Sequence, residues 1–511
     1  MKVARPATVR CAGKHRAAQP DGPTEGGSVN PNWRGLQSRR ILDAFTMLQS
    51  LRLPGWLWIV LLWALTVIPA ISLRSAHFEE GTVLALARGA AQDGWWLAPH
   101  HYGFRFIERP VLLSWIAAAL GSLTGEVTLW HIRIPHVLFL LAGALLVWRL
   151  VRSQASDSAA LFAALCFFGS PMIATKVVTA EPDVMLSVLL FAAFVLWWNG
   201  TVAGGVSLRR SLVIGAVLGA AALTKGIQPM AYFPLGVGAY LLWRRQWRQL
   251  TPFLIANAIG ATLCLAWYLA VFEPGDFTQW LTHSRLGGHR GDPFYQFDLS
   301  ILAEWLPLSL MLPFAVYRLS RTERSPKADP KADLLLASIL YATACTAVLA
   351  FWPDAKARYA MPATLGLTTM AGLMFDQWKA ARPAWLAATL VLVVAVASYP
   401  IILGQLVMPL APDLFQSSRL QGRTINFAQQ TLPGVLYTTR HAVNSNVLAH
   451  VDGPIHEVTL ADLQSVKPPF LALIRSADVA RLTDLLSQRQ VTVWGTLPGG
   501  TQSFVQVRPL P

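Results

Sequence analysis

Apolar residues run along the chain in long blocks broken by short polar turns, rather than alternating with the period of two expected of strands. The blocks fall at residues 54–73, 110–125, 134–150, 158–175, 184–198, 211–223, 229–243, 251–272, 301–318, 334–352, 359–376 and 384–407. Most approach the length of about 20 residues that a helix needs to cross a bilayer. The pattern predicts an all-α polytopic membrane protein. The block at 110–125 is short enough to be a span or an interfacial helix, and charge decides between them. If it crossed, Arg149 and Arg152 would lie outside; if it lies along the outer surface, they fall inside, as basic residues prefer. With this helix on the surface, about eleven transmembrane helices remain.

Beyond residue 407 the long blocks stop. Short β-like runs at 435–439, 470–474 and 491–494, with helical periodicity over 476–488, predict a small α/β extramembrane domain spanning 408–511. The first 53 residues carry nine Lys/Arg against three Asp/Glu and read as a disordered basic cytoplasmic tail. The domain order is then a tail at 1–53, a transmembrane domain at 54–407 with an outer loop at about 74–133, and the terminal domain. The blocks show no internal repeat of the transporter kind.

Composition narrows the class. The chain is 54% hydrophobic and only 14% charged, which excludes a single soluble domain. Its net charge of +15 is spread over the tail and short loops, including Arg209-Arg210, Arg244-Arg245, the 318–331 loop, and Lys379 with Arg382. That distribution reads as orientation signal rather than nucleic-acid binding, and it places those loops in the cytoplasm. An odd number of crossings then leaves the C-terminal domain outside. Cys11, Cys166, Cys264 and Cys345 lie far apart and suggest neither a disulfide framework nor a zinc site.

The residues that break the orientation rule carry the candidate chemistry. His77-Phe78-Glu79-Glu80 places paired carboxylates just beyond the first span, where they could supply a general base or simply begin a helix. A second acidic turn reads Thr179-Ala180-Glu181-Pro182-Asp183. Arg109, Lys225 and the Lys356-Ala357-Arg358-Tyr359 run put cations on the same outer face. Each alone is compatible with a snorkelling helix end; together they could hold a phosphate. The outer segment 273–299 adds Trp280, His283, Arg285, His289 and Arg290, without a metal-ligand spacing.

The order of these motifs resembles the integral-membrane glycosyltransferases of GT-C architecture that use a polyprenyl-phosphate sugar, including protein O-mannosyltransferases and lipid A aminoarabinose transferases. The resemblance runs over roughly residues 54–376. It is carried by Glu79-Glu80, Asp93-Gly94-Trp95-Trp96, Glu108-Arg109-Pro110, Thr179 to Asp183, Leu223-Thr224-Lys225-Gly226, His289-Arg290-Gly291-Asp292-Pro293-Phe294-Tyr295 and Arg358-Tyr359-Ala360-Met361-Pro362. Two positions depart from the family pattern: Glu79 stands where an Asp is usual, and Arg109 where a Lys is usual.

The resemblance implies transfer of a sugar from polyprenyl phosphate, with undecaprenyl phosphate expected in a bacterium, to a lipid A, glycan or protein acceptor at the outer face, with inversion. It implies Glu79 as catalytic base, assisted by Glu80 or Asp183. Arg109, Lys225, Arg285, Arg358 and Tyr359 would bind the donor phosphate, with Glu108, His289 and Arg290 as further substrate contacts. No cofactor is expected, a divalent metal is left open, and the expected partners are the donor, the acceptor and membrane lipids, with no nucleic acid. The expected location is a bacterial inner membrane, with the N-terminus cytoplasmic and the C-terminal domain periplasmic. The rival reading is a transporter or flippase for a lipid-linked saccharide, against which stands the lack of ionisable residues in the middle of most blocks.

Overall fold

The computed structural model describes residues 31–47, 53–71, 73–283, 294–322, 329–350, 355–432, 434–440, 442–497 and 500–510. Each apolar block forms helix. In chain order the first helices are α1 (Pro31–Met47), α2 (Gly55–Val67), α3 (Glu80–Asp93), α4 (Leu112–Thr124), α5 (Trp130–Arg152), α6 (Asp157–Phe168) and α7 (Pro171–Ala174). They are followed by α8 (Pro182–Val202), α9 (Leu208–Lys225), α10 (Pro229–Trp243), α11 (Leu250–Val271) and α12 (Asp276–His283). The bundle closes with α13 (Phe294–Glu304), α14 (Leu308–Thr322), α15 (Pro330–Ala350), α16 (Met361–Ala381) and α17 (Pro383–Ala397), the last continued by short helical turns to Leu410.

Among the described residues, five helices are long and apolar enough to cross a membrane: Trp130–Arg152, Pro182–Val202, Trp247–Val271, Pro330–Ala350 and Pro383–Leu410. Three shorter apolar helices, α2, α4 and α6, accompany them. The chain is therefore a multi-pass membrane protein. Two of the expected blocks are divided, and in each a proline marks the break. The 158–175 block splits into α6 and α7 ahead of Pro171, and the 301–318 block into α13 and α14 around Pro307.

The bundle interior is packed by apolar and aromatic side chains, with Trp197, Trp198, Tyr240 and Tyr341 buried beside Phe191 and Phe194. Small residues let backbones approach. Gly215 and Gly219, four apart on α9, face Ile259 and Leu263 of α11, where an added Cβ would come within 3 Å of those side chains. Local sequence also sets the helix starts. Ser156 and Ser207 cap α6 and α9 by accepting from the backbone N–H three residues on, and Pro182 occupies the first turn of α8.

The expected disordered tail differs in its second half. Residues Pro31–Met47 are helical, with Leu42 buried and the Phe45 ring against Phe375 of α16. The spacing of Leu42 and Phe45 puts both on one helix face, and that face packs on the bundle. The first 30 residues lie outside the described ones.

The outer loop after α2 is structured. It holds α3, a two-residue antiparallel hairpin of β1 (His100–His101) and β2 (Phe104–Arg105), and α4. The last hundred residues build a five-stranded mixed sheet from β3 (Leu436–Thr439), β4 (Ile455–Val458), β5 (Phe470–Arg475), β6 (Arg489–Thr496) and β7 (Gln502–Pro509), in the order β4-β3-β5-β7-β6. Strands β3, β5 and β6 coincide with the three expected runs; β4 and β7 carried too little apolar alternation to be expected. The β3–β4 and β3–β5 pairs are parallel, and the pairs with β7 are antiparallel.

This sheet unit grips the outer loop. Asn446 accepts from Gly81 N–H at 3.1 Å and donates to the Phe78 carbonyl at 3.2 Å. Arg88 of α3 reaches the carbonyls of Val451 at 3.1 Å and Ala449 at 3.4 Å. His450 accepts from Ala76 N–H at 3.0 Å, and Glu457 N–H donates to the Tyr102 carbonyl at 2.7 Å. The contact is closest at Gly81, where a Cβ would lie 2.2 Å from the Ser445 backbone carbon. Backbone cannot yield as a flexible side chain can, so Gly81→Ala is expected to cost about 1–3 kcal/mol and to loosen the C-terminal unit. Limited proteolysis in detergent reads this out: the variant should release a C-terminal fragment under conditions that leave the parent intact.

Candidate active site

The turn between α2 and α3 positions the central carboxylate. Phe78 adopts φ of +48°, unusual for an aromatic residue, and Glu79 follows as the N-cap position of α3. From this corner Glu79 meets side chains delivered by three distant segments. Arg109, on the approach to α4, donates to Oε2 at 2.6 Å, and Arg358, in a 3-10 turn before α16, donates to Oε1 at 2.6 Å. The Lys225 ammonium, at the C-terminal end of α9, stands 3.8 Å from Oε1.

Lys225 also donates to both oxygens of Asp183, at 2.6 and 2.5 Å, from the first turn of α8. Gly226 makes this placement possible. Its φ of +92° and ψ of −148° end α9 immediately after the lysine, in a region open to glycine. The Tyr359 ring lies under the same cations, 4.6 Å from Lys225 Nζ and 5.5 Å from the Arg358 guanidinium.

Arg358 extends the network to Glu181 at 3.7 Å, whose other oxygen accepts from Lys176 at 2.9 Å. The Lys176 ammonium in turn sits 4.9 Å from the Phe78 ring centre. Among the described residues Glu181 Oε2 is buried without a hydrogen-bond partner, as is Thr179 Oγ1 two residues earlier. Burial pushes the Glu181 carboxyl up, while Lys176 pulls it back. Glu79 is shifted the opposite way. Its burial alone would raise it, but Arg109, Lys225 and Arg358 outweigh that and hold the carboxyl far below the usual carboxylate range. Burial pulls Arg109 and Arg358 down, but the neighbouring carboxylates, Glu79 foremost, outweigh it and keep both cations firmly charged.

Glu80, expected as a second catalytic acid, serves another purpose. It is fully buried and takes a two-pronged contact from Arg133, Nε at 2.8 Å and Nη2 at 2.9 Å. It also accepts from Ala180 N–H at 3.0 Å and His77 N–H at 3.1 Å. Arg133 continues to the carbonyls of Ile71 and Arg74. With four donors on its two oxygens, this carboxylate ties the α2–α3 turn to α5 and to the Thr179–Asp183 turn, and it faces no open space.

Of the other expected residues, Glu108 pairs with Arg109 at 3.5 Å at the edge of the cluster, while Arg285, His289 and Arg290 lie outside the described residues. Asp93-Gly94-Trp95-Trp96 stays apart from the cluster: Gly94, at φ +77°, stops α3, and Trp95 packs against Gly89 and the His100 ring. Lys176, Glu181 and Arg133 were not expected as functional residues. Lys176 and Arg133 sit among apolar residues with no motif around them, and only Glu181, inside the quoted acidic turn, carried a signal. Among the described residues no group of three or more His, Cys, Asp or Glu side chains converges to hold a metal.

The arrangement can do two things chemically. Arg109, Lys225 and Arg358, two of them with planar forks, can bind an anion such as a phosphate. Glu79 can accept a proton once those cations turn toward such an anion.

Known proteins resemble this chain in sequence and in fold. Residues 108–271 match the family described as dolichyl-phosphate-mannose-protein mannosyltransferase. The undecaprenyl phosphate-alpha-4-amino-4-deoxy-L-arabinose arabinosyl transferase of Pseudomonas paraeruginosa is 28% identical over 58% of this chain and 54% of its own length. That of Erwinia tasmaniensis is 27% identical over 52% of this chain and 50% of its own. The chain thus spans about half the length of the curated relatives it matches. In fold it is similar to ArnT from Cupriavidus metallidurans bound to undecaprenyl phosphate, with a TM-score of 0.70 and 16% identity over 88% of this chain and 98% of that one. The resemblance to membrane glycosyltransferases of GT-C architecture that use polyprenyl-phosphate sugars is borne out.

Two outcomes follow. Glu80→Ala leaves Arg133 buried without its partner and should cost about 3–5 kcal/mol, whereas pairing it with Arg133→Met should recover most of that; thermal unfolding in detergent checks both. The Glu79 carboxyl titrates lower in the folded than in the unfolded chain, so its stabilisation is fully present above the ordinary value of 4.5 and is lost as the pH falls below it. Melting temperature should therefore drop below that pH, and less steeply in Glu79→Gln.

Proposed function

We propose that this chain transfers a glycosyl group from a polyprenyl phosphate, undecaprenyl phosphate in a bacterial inner membrane, to a hydroxyl acceptor at the outer face. The observation that carries the reading is the convergence of Arg109, Lys225 and Arg358 on the single carboxylate of Glu79. The matched family and relatives, whose names specify lipid-phosphate-linked sugars, support it.

The donor's phosphate diester competes with Glu79 for the same three cations. Binding draws the cations partly onto the phosphate oxygens, and the carboxylate regains the basicity they suppress. The acceptor hydroxyl then attacks the anomeric carbon and gives its proton to Glu79. The new glycosidic C–O bond forms as the bond to the phosphate oxygen breaks, and that oxygen leaves with the electron pair. The charge growing on it meets preorganised cations in a site largely closed to water, where such stabilisation is strongest. Attack opposite the leaving phosphate inverts the anomeric centre.

Asp183 holds Lys225 in place, and Glu181 with Lys176 supports Arg358 from behind. Glu80 acts through Arg133 by fixing the turn that presents Glu79. The basic loops favour a cytoplasmic N-terminus and a periplasmic C-terminal sheet unit, which puts the cluster at the periplasmic face.

Glu79→Gln should lower transfer by about 10²-fold or more while undecaprenyl phosphate binds at least as well, because a competing negative charge is gone. Turnover near the parent's would move the base elsewhere. Lys225→Ala should weaken undecaprenyl phosphate binding by about tenfold, for loss of one charge-assisted contact, and unchanged affinity would remove its phosphate role. Filter binding of labelled undecaprenyl phosphate and transfer from a labelled lipid-linked sugar measure the two separately.

A further inference from the structure

A chamber of about 650 Å³ opens beside the cation cluster, between the β1–β2 hairpin, α12 and the C-terminal sheet unit. Its walls include Thr82, Arg105, Glu108, Asp276, Arg440 and Glu457. Its volume falls in the usual range for small-molecule sites. It adjoins the cation cluster through two wall residues: Thr82 stands one turn after Glu79, and Glu108 pairs at 3.5 Å with Arg109, itself 2.6 Å from Glu79.

The charges on these walls differ from those around Glu79. Two arginines face three carboxylates. Arg105 is already engaged by Glu273 at 2.8 Å, Asp276 at 2.9 Å and the Val271 carbonyl at 2.6 Å. Arg440 is exposed and makes no ion pair among the described residues, and His101 at the wall lies 3.6 Å from Glu457. A phosphorylated group entering here would meet one uncommitted arginine and three carboxylates that already have neighbours of their own, Asp276 at Arg105, Glu108 at Arg109 and Glu457 at His101. Phosphate recognition needs the reverse, several donors converging with few competing acceptors. Carboxylates that accept, guanidinium and Gln279 amide N–H groups that donate, and the Phe104 and Phe106 side chains instead suit a ring carrying hydroxyls.

We infer that this chamber is the acceptor site and that the part of the acceptor entering it is a saccharide with free hydroxyls and no phosphate. The inference rests on the transfer reading for the word acceptor, but not for the chamber's preference among ligands. The two phosphate-bearing and phosphate-free ends of the reaction are thus kept apart: the donor phosphate at the cations of Glu79, the acceptor hydroxyls on the acidic walls.

The test uses the full chain in nanodiscs on an array of neutral and phosphorylated oligosaccharides. Neutral glycans should bind. Val443→Trp, which narrows the chamber, should weaken them at least tenfold, and Arg440→Ala, at an exposed position, about tenfold or somewhat less. Binding of phosphorylated glycans alone, neutral binding that neither chamber variant changes, or no glycan binding at all would each overturn the inference. A parallel measurement with labelled undecaprenyl phosphate separates the two readings. Neutral-glycan binding lost in the chamber variants, together with no undecaprenyl phosphate binding, would remove sugar transfer and leave the saccharide site. Transfer confined to a phosphorylated lipid would do the opposite.

Discussion

The sharing of one carboxylate, Glu79, among three cations is the constraint on which this structure turns. Isolated, each of these groups would be costly to withdraw from water. Together they are stable only if their elements arrive at one place within hydrogen-bond distance. The ends of α9, α8 and α16 and the approaches to α3 and α4 all meet there. The bundle's packing, including the close α9–α11 contact at Gly215 and Gly219, can be understood as what fixes those ends. The three cations are shared by one carboxylate whose basicity they suppress. An anionic ligand changes both the sharing and the basicity at once.

The C-terminal sheet unit is part of that constraint rather than an appendage. It holds the α2–α3 turn through Asn446, His450 and the backbone contact at Gly81, within two or three residues of Glu79. It also supplies Arg440 and Glu457 to the chamber next to the cluster. One unit thereby steadies the reacting carboxylate and shapes the space from which a second substrate would approach it. Glu80 and Arg133 do the same work from the membrane side, through four donors on one buried carboxylate.

Much of this was legible in the residues. Apolar block length located the long apolar helices, because a helix in hydrocarbon must satisfy its backbone internally, but not α1, α3 or α12, which lie outside the blocks. The outer-face acids and cations stood out because they break the orientation rule, and Glu79, Arg109, Asp183, Lys225, Arg358 and Tyr359 do come together. The direction of Glu80 was not legible, because consecutive residues at a helix start point to different neighbours, and Glu80 points inward to Arg133. Lys176 was invisible because its contact with Glu181, five residues on, depends on the shape of the turn between α7 and α8.

The sequence by itself determined the membrane class, the long apolar helices and the kinds of charge available. Those are properties of composition and period, which local physics reads directly. Only the tertiary structure decided which acid the cations surround, which is tied down as a support, and that the terminal sheet closes over a chamber with acidic walls. Those depend on distances between residues as much as 279 positions apart in the chain, such as Glu79 and Arg358, and electrostatic interactions at contact distance are set by those separations alone.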